Sequence, residues 1–244
     1  MLSGTANLED LAARAPVMSS LETAPVTLDD VEVLQATFEL PYSSRESLLP
    51  AGLHPTTPPM LVLLAWRVPA SPWGPFTMAQ ARVSCRSGVR PRGFVAGCLA
   101  DTPEAASGLA GAWGLPAVEA RVTLERRYDR AELVAEGADG PAAHLVALDP
   151  DPMSPDDVQF TVTTTLATTP RGLRLVQVEP EYELRRVERI RPRLLAFEDG
   201  GWGQTGLRPY HPVSATVAVG RVTVPPLRFL SRPDVTAFEG TEKV

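Results

Sequence analysis

The chain has 244 residues and one lysine, Lys243; the other 22 of its 23 basic residues are arginine. Alanine, glycine, proline and arginine are abundant, the composition expected of a GC-rich genome in which arginine replaces lysine on surfaces. The scarcity still excludes something, because a guanidinium keeps its proton and forms no imine where a lysine is missing. Cysteine is nearly as scarce: Cys85 and Cys98 are too few for a disulfide framework, so reduced thiols in a cytoplasmic protein are expected. The three histidines, His54, His144 and His211, are not spaced as zinc ligands and no H-E-x-x-H is present, so no metal and no cofactor are expected. No apolar run reaches the roughly 18 residues of a membrane span. Met1-Leu2-Ser3-Gly4 lacks the basic and apolar regions of a signal peptide, so none is expected. Excess positive charge is also missing. A net charge of −6 weighs against nucleic acid and anionic membranes as partners.

What is present is enough apolar material for a core, 44% hydrophobic against 21% charged residues. Strand signals dominate. Val31–Leu40, Met60–Val68, Phe76–Cys85, Val118–Leu124, Ala131–Ala135, His144–Ala147, Val158–Thr169, Leu173–Val178 and Pro212–Val224 are β-rich, alternating or continuously apolar. One helix stands out after Asp101-Thr102-Pro103-Glu104, with Ala105, Leu109, Ala112 and Trp113 as its apolar face and Gly114 as its stop. Residues 1–25 read as a helical appendage bounded by Pro16 and Pro25, and residues 26–244 as one domain of mainly-β α+β class.

Most motifs favour bland readings. Gly201-Trp202-Gly203-Gln204-Thr205-Gly206 matches G-x-G-x-x-G, but Pro209 and Pro212 follow where a dinucleotide site needs a helix, so a glycine-rich turn is expected. The arginine-rich run 185–193 alternates with glutamates and reads as an ion-paired, solvated face. No G-x-S-x-G elbow occurs, and both cysteines fall on strand-like segments as buried thiols.

Four stretches in register carry more. Leu49-Pro50-Ala51-Gly52-Leu53, Gly74-Pro75-Phe76-Thr77-Met78, Ala100-Asp101-Thr102-Pro103-Glu104-Ala105 and Trp113-Gly114-Leu115-Pro116 together resemble the acetoacetate decarboxylase family. Residues 212–225 resemble its closing strand more weakly. The resemblance implies a β-barrel or cone with a central cavity, a few peripheral helices and assembly into homo-oligomers. It also implies a mechanism in which a lysine of depressed pKa forms a Schiff base with a β-keto acid. Carried over by register, the Schiff-base lysine falls on Ala117 and its neighbour on Val118. The two glutamates fall on Met78 and Leu63, and the arginine on Val31.

Every ionisable group of that site is thereby replaced by an apolar one, which implies a neutral, apolar cavity. The expected pocket comprises Val31, Leu63, Met78, Trp113, Ala117 and Val118, with polar help from Gln80 and Arg82 on the alternation face of Met78, and Tyr128 and Trp66 as further aromatics. No catalytic residue is assigned. The expected function is a cyclisation, isomerisation or elimination on an apolar, polyketide- or terpenoid-like substrate of secondary metabolism, without a Schiff base. The alternatives are a non-catalytic small-molecule binder and a lysine-free decarboxylation.

Overall fold

The computed structural model describes residues 2–137 and 140–244. Fifteen strands join one sheet. They are β1 (Val26–Glu39), β2 (His54–Pro55), β3 (Met60–Val68), β4 (Phe76–Ser87), β5 (Arg90–Ala100), β6 (Ala117–Glu119), β7 (Arg121–Arg126) and β8 (Arg130–Gly137), then β9 (Gly140–Pro152), β10 (Thr163–Thr169), β11 (Gly172–Val178), β12 (Glu181–Phe197), β13 (Pro212–Val224), β14 (Phe229–Ser231) and β15 (Thr241–Lys243). The order is β15-β14-β11-β10-β5-β4-β3-β1-β13-β12-β9-β8-β7, with β2 attached to β4 and β6 to β5. The pairs are antiparallel except β5–β10 and β5–β6. Among the described residues three α-helices are peripheral: α1 (Leu8–Arg14), α2 (Pro103–Trp113) and α3 (Ala237–Gly240). The protein is mainly β, as the strand signals predict.

Two apolar clusters cover the two faces of the central strands, because side chains alternate along a strand. One contains Phe38, Leu61, Leu63, Phe94, Leu133, Leu145 and Trp202. The other contains Val31, Val33, Trp66, Met78, Cys98, Leu109, Trp113 and Val187. Helix α2 lies on the second cluster. Thr102 caps it by accepting from Ala105 N, Pro103 opens its first turn, and Gly114 closes it at φ 65° with its N–H on the Ala110 carbonyl. A side chain at Gly114 would also meet Met18 Sδ at 2.8 Å, so both space and dihedral require glycine there.

The structure departs from the sequence reading in four places. The segment expected as a helical appendage holds α1 over residues 8–14 only; Pro16 and Met18 then hydrogen-bond to Thr168 of β10. β5 escapes the alternation rule because Pro91, Gly93 and Gly97 interrupt its pattern. The arginine run is ion-paired as expected, Arg186, Arg189 and Arg191 with Glu188, Asp151 and Asp149, but it lies inside β12, the longest strand, where no strand was expected. Only residues 163–169 of the β-branched stretch 158–169 enter a strand; residues 158–162 cross the second cluster as irregular chain.

Candidate functional site

The register of β1, β3, β4 and β5 builds one polar and aromatic patch on the second face. On β4, Met78, Gln80 and Arg82 point one way; their cross-strand partners on β3 are Trp66, Leu64 and Val62. On β1, Val33 and Gln35 stand opposite Trp66 and Leu64. On β5, Ala100, Cys98 and Val95 complete the row, and Ala117 of β6 stands beside Cys98. Trp113 reaches the patch from the last turn of α2, its ring 6.4 Å from Trp66 in an edge-on arrangement.

Arg82 is the unusual residue. Its side chain is 1% exposed, and no carboxylate among the described residues pairs with it. Its Nε donates to Gln80 Oε1 at 2.7 Å and its Nη1 to the Thr161 carbonyl at 2.7 Å. Arg92, the other buried arginine, has the ordinary arrangement: its Nη2 lies 2.6 Å from Glu179. Burial lowers the Arg82 guanidinium to about 10, which leaves it charged at neutral pH. Its charge is felt by two neighbours. Burial pushes the Cys98 thiol up to about 12, with Arg82 pulling it back, and raises the Tyr182 phenol above its ordinary value with the same opposing pull.

Tyr182 sits on β12 and ties the patch together. Its ring is 6.2 Å from Trp66 and 4.4 Å from Phe160. Trp66 Nε1 is buried next to the phenol and has no hydrogen-bond partner of ordinary geometry among the described residues. Segment 158–162 covers the patch. Gln35 holds it twice, donating from Nε2 to the Gln159 carbonyl at 3.2 Å and accepting from Thr161 N at 3.0 Å. Gly93 permits this closeness, since a Cβ there would stand 3.0 Å from Thr161 Cγ2 and 3.2 Å from the Arg82 side chain.

The expected pocket residues therefore divide. Val31, Met78, Gln80, Arg82 and Trp113 are all buried on the second face, and half-buried Ala117 packs against the same cluster. Leu63 does not join them. It pairs with Ala81 and belongs to the opposite cluster, because one residue of register reverses the face; Leu64 is the β3 residue beside Gln80. Val118 is 54% exposed and lines a different cavity, of about 380 Å³, with Trp202, Gln204 and Glu119. Tyr128 is 97% exposed in the β7–β8 turn and contributes to no pocket wall. Five cavities among the described residues are lined by none of Met78, Gln80 and Arg82, and only Cys98 of the patch reaches the one of about 380 Å³; the rest of the patch is packed beneath its cover.

Tyr182, Cys98, Gln35 and the cover were missed as site residues. Tyr182 was legible, since Tyr182 and Leu184 alternate with Glu181, Glu183 and Arg185 at strand period. The single lysine, Lys243, lies on β15 at one end of the sheet order, and β4 is five strands away. Two of the histidines have local partners. His54 is buried with Nδ1 3.0 Å from the Leu2 carbonyl, and His144 Nε2 lies 2.8 Å from Glu132.

Chemically, the patch offers one fixed cation, an amide, a phenol and an indole N–H. Its thiol and phenol are protonated at neutral pH. It can stabilise negative charge on an oxygen by electrostatics and hydrogen bonding, but it presents no carboxylate or amine base among the described residues.

No family model matches this chain, and no curated protein matches it. Solved structures do. Acetoacetate decarboxylase from Legionella pneumophila aligns over 87% of this chain and 90% of its own, at 16% identity and a TM-score of 0.74. The enduracididine biosynthesis enzyme MppR, in its complex with pyruvate, aligns over 84% and 90%, at 17% identity and 0.67. An acetoacetate decarboxylase-like enzyme from Sphingomonas wittichii RW1 aligns over 85% and 94%, at 14% identity and 0.66. At these identities the likeness establishes one thing: this chain has the fold shared by acetoacetate decarboxylase and MppR.

Proposed function

We propose that the chain is a small-molecule enzyme of secondary metabolism that acts without a Schiff base at the patch formed by Met78, Gln80, Arg82, Trp66, Trp113 and Tyr182. The observation that carries the reading is Ala117. By the resemblance of Trp113-Gly114-Leu115-Pro116 alone, Ala117 stands where the family has its Schiff-base lysine; Ala117 pairs with Cys98 at the edge of the patch, in a fold shared with acetoacetate decarboxylase and MppR. A covalent electron sink is replaced by an electrostatic one. Arg82 and the Tyr182 phenol stabilise negative charge that develops on a substrate oxygen as electrons shift within the substrate, while Trp66, Trp113 and Phe160 hold an apolar body in reactive geometry. The chemistry this favours is isomerisation, elimination or cyclisation of a polyketide- or terpenoid-like substrate.

A second reading, a non-catalytic binding protein on the same scaffold, is favoured by the missing base. The two part in one experiment. Purified protein is extracted, the co-purified compound is identified by mass spectrometry, and that compound is returned to fresh protein. Conversion to an isomer or dehydrated product supports the enzyme. Recovery of unchanged compound after prolonged incubation overturns it in favour of the binder.

A further inference from the structure

A cavity of about 240 Å³ lies away from the patch, between the β4–β5 turn and the C-terminal segment. Strand alternation brings its polar residues to one face. Ser87 follows Cys85 by two on β4, and Gln177 follows Leu175 by two on β11; Cys85 and Leu175 both belong to the first apolar cluster. Phe229 of β14 lines the same cavity. Val89 in the turn and Ala237 and Phe238 of α3 complete its apolar walls. Phe238 packs over the turn, its ring 3.6 Å from where a Cβ on Gly88 would stand. None of these residues serves the patch.

The rim and the floor differ in character. Val89 is 79% and Phe238 72% exposed, large apolar groups left in water beside the opening. On the floor, Gln177 is 9% and Ser87 8% exposed. Gln177 Oε1 accepts from Arg92 Nη2 at 3.2 Å, and Glu179 holds Arg92 at 2.6 Å. The guanidinium takes the amide oxygen, so the Nε2 end is the one left over. Neither Gln177 Nε2 nor Ser87 Oγ has a hydrogen-bond partner among the described residues. Buried polar groups are ordinarily satisfied, and one left without a partner costs about 1–3 kcal/mol. Both side chains line the cavity, where a bound molecule can satisfy them. No carboxylate lines it, and its one charged residue, Arg90, is exposed. An apolar cavity of about 150 Å³ holds benzene, so this one has room for a single ring with a short substituent.

We propose that this cavity is a small-molecule site separate from the patch, and that its ligand is a one-ring aromatic compound carrying a neutral hydroxyl. Phe229 and Phe238 flank the ring. The hydroxyl oxygen accepts from Gln177 Nε2, and its proton goes to Ser87 Oγ, since a serine hydroxyl accepts as well as donates. The bound molecule spans the β4–β5 turn and α3.

The test uses benzyl alcohol beside two uncharged analogues of similar shape, benzyl methyl ether and ethylbenzene, and beside benzoate. Each is titrated into the intact protein and read by saturation-transfer difference NMR. Saturable binding of benzyl alcohol, at least threefold tighter than the other three, is the expected result. Ser87→Ala and Gln177→Leu should each weaken the alcohol at least threefold and leave ethylbenzene within twofold, a split that loosened packing would not produce. The serine variant serves alone if the leucine variant does not fold. Ala237→Phe, which fills the cavity from α3, should abolish binding of every probe. Ether or ethylbenzene binding as tightly as the alcohol would overturn the hydroxyl assignment. Benzoate binding more tightly would overturn it in favour of an anion at Arg90. Alcohol binding unchanged in Ala237→Phe would place the ligand elsewhere, and no saturable binding of any probe would overturn the site itself.

Discussion

Gln80→Met should destabilise the protein far more than Arg82→Met, although arginine is the charged residue. The two side chains are each 1% exposed and are joined by the Nε–Oε1 hydrogen bond of 2.7 Å. Methionine at position 80 keeps volume but removes the acceptor, and a buried cationic donor left unpaired costs about 3 kcal/mol. Methionine at position 82 removes the charge itself. Replacing buried ionic groups by apolar ones of similar size is near neutral or stabilising, which offsets the two orphaned acceptors and leaves a change within about 1 kcal/mol. The double variant should return to within about 1 kcal/mol of the wild type, a coupling of about 3 kcal/mol between residues in contact. Urea unfolding followed by tryptophan fluorescence and by circular dichroism reads these values. With a slope of about 3 kcal/mol per molar, Gln80→Met should lower the midpoint by about 1 M. If the two single losses simply add in the double variant, the guanidinium is not an uncompensated charge and the reasoning fails.

Three further outcomes follow from the same geometry. Burial raises Cys85 and Cys98 from 9.0 to about 12, so neither thiol should react with iodoacetamide within minutes at pH 8 in the folded protein, and both should react in urea. The folded state then binds more protons than the unfolded state between pH 9 and 12, so the stability these thiols contribute is complete below pH 9 and lost as pH rises through about 12; denaturant midpoints that rise over that range would refute the assignment. Gln35→Ala removes both bonds that pin segment 158–162, worth about 1–3 kcal/mol together, and should speed amide exchange there by roughly 5- to 100-fold while β3 and β4 keep their protection. Gly114→Ala forces a left-handed dihedral and contacts at 2.8 Å and 2.9 Å with Met18 and Ala167. It should cost about 2–4 kcal/mol and lower the thermal midpoint measured by calorimetry.

Local rules reached most of the strands and one helix, because their signals are local. The Thr102 cap, the Pro103 first turn and the Gly114 stop determine α2 from neighbouring residues alone, and β3 shows as an apolar run between Pro59 and Pro69 broken only by Arg67. β12 was hidden by its charges, which mark solvent exposure and also cover a strand whose other side chains, such as Val187 and Ile190, are buried. The site was legible only in part. The alternation of β4 correctly grouped Met78, Gln80 and Arg82, since period two is a property of one strand. Placing Leu63 beside Met78 required the pairing between two strands, and a shift of one residue there reverses the face. Nothing local could bring Tyr182 or Thr161 to Arg82, 100 and 79 positions away along the chain. Arg82, grouped with Met78 by alternation, is buried with no carboxylate partner among the described residues, and its bonds to Gln80 and to the Thr161 carbonyl show only in three dimensions.

The central claim is that this fold acts here through a buried arginine and without an imine. Intact-mass spectrometry after borohydride reduction in the presence of pyruvate and of acetoacetate, with peptide mapping of any adduct, tests it most directly. The account predicts no stoichiometric adduct on any side chain. A stoichiometric reduced adduct on Lys243 would contradict it.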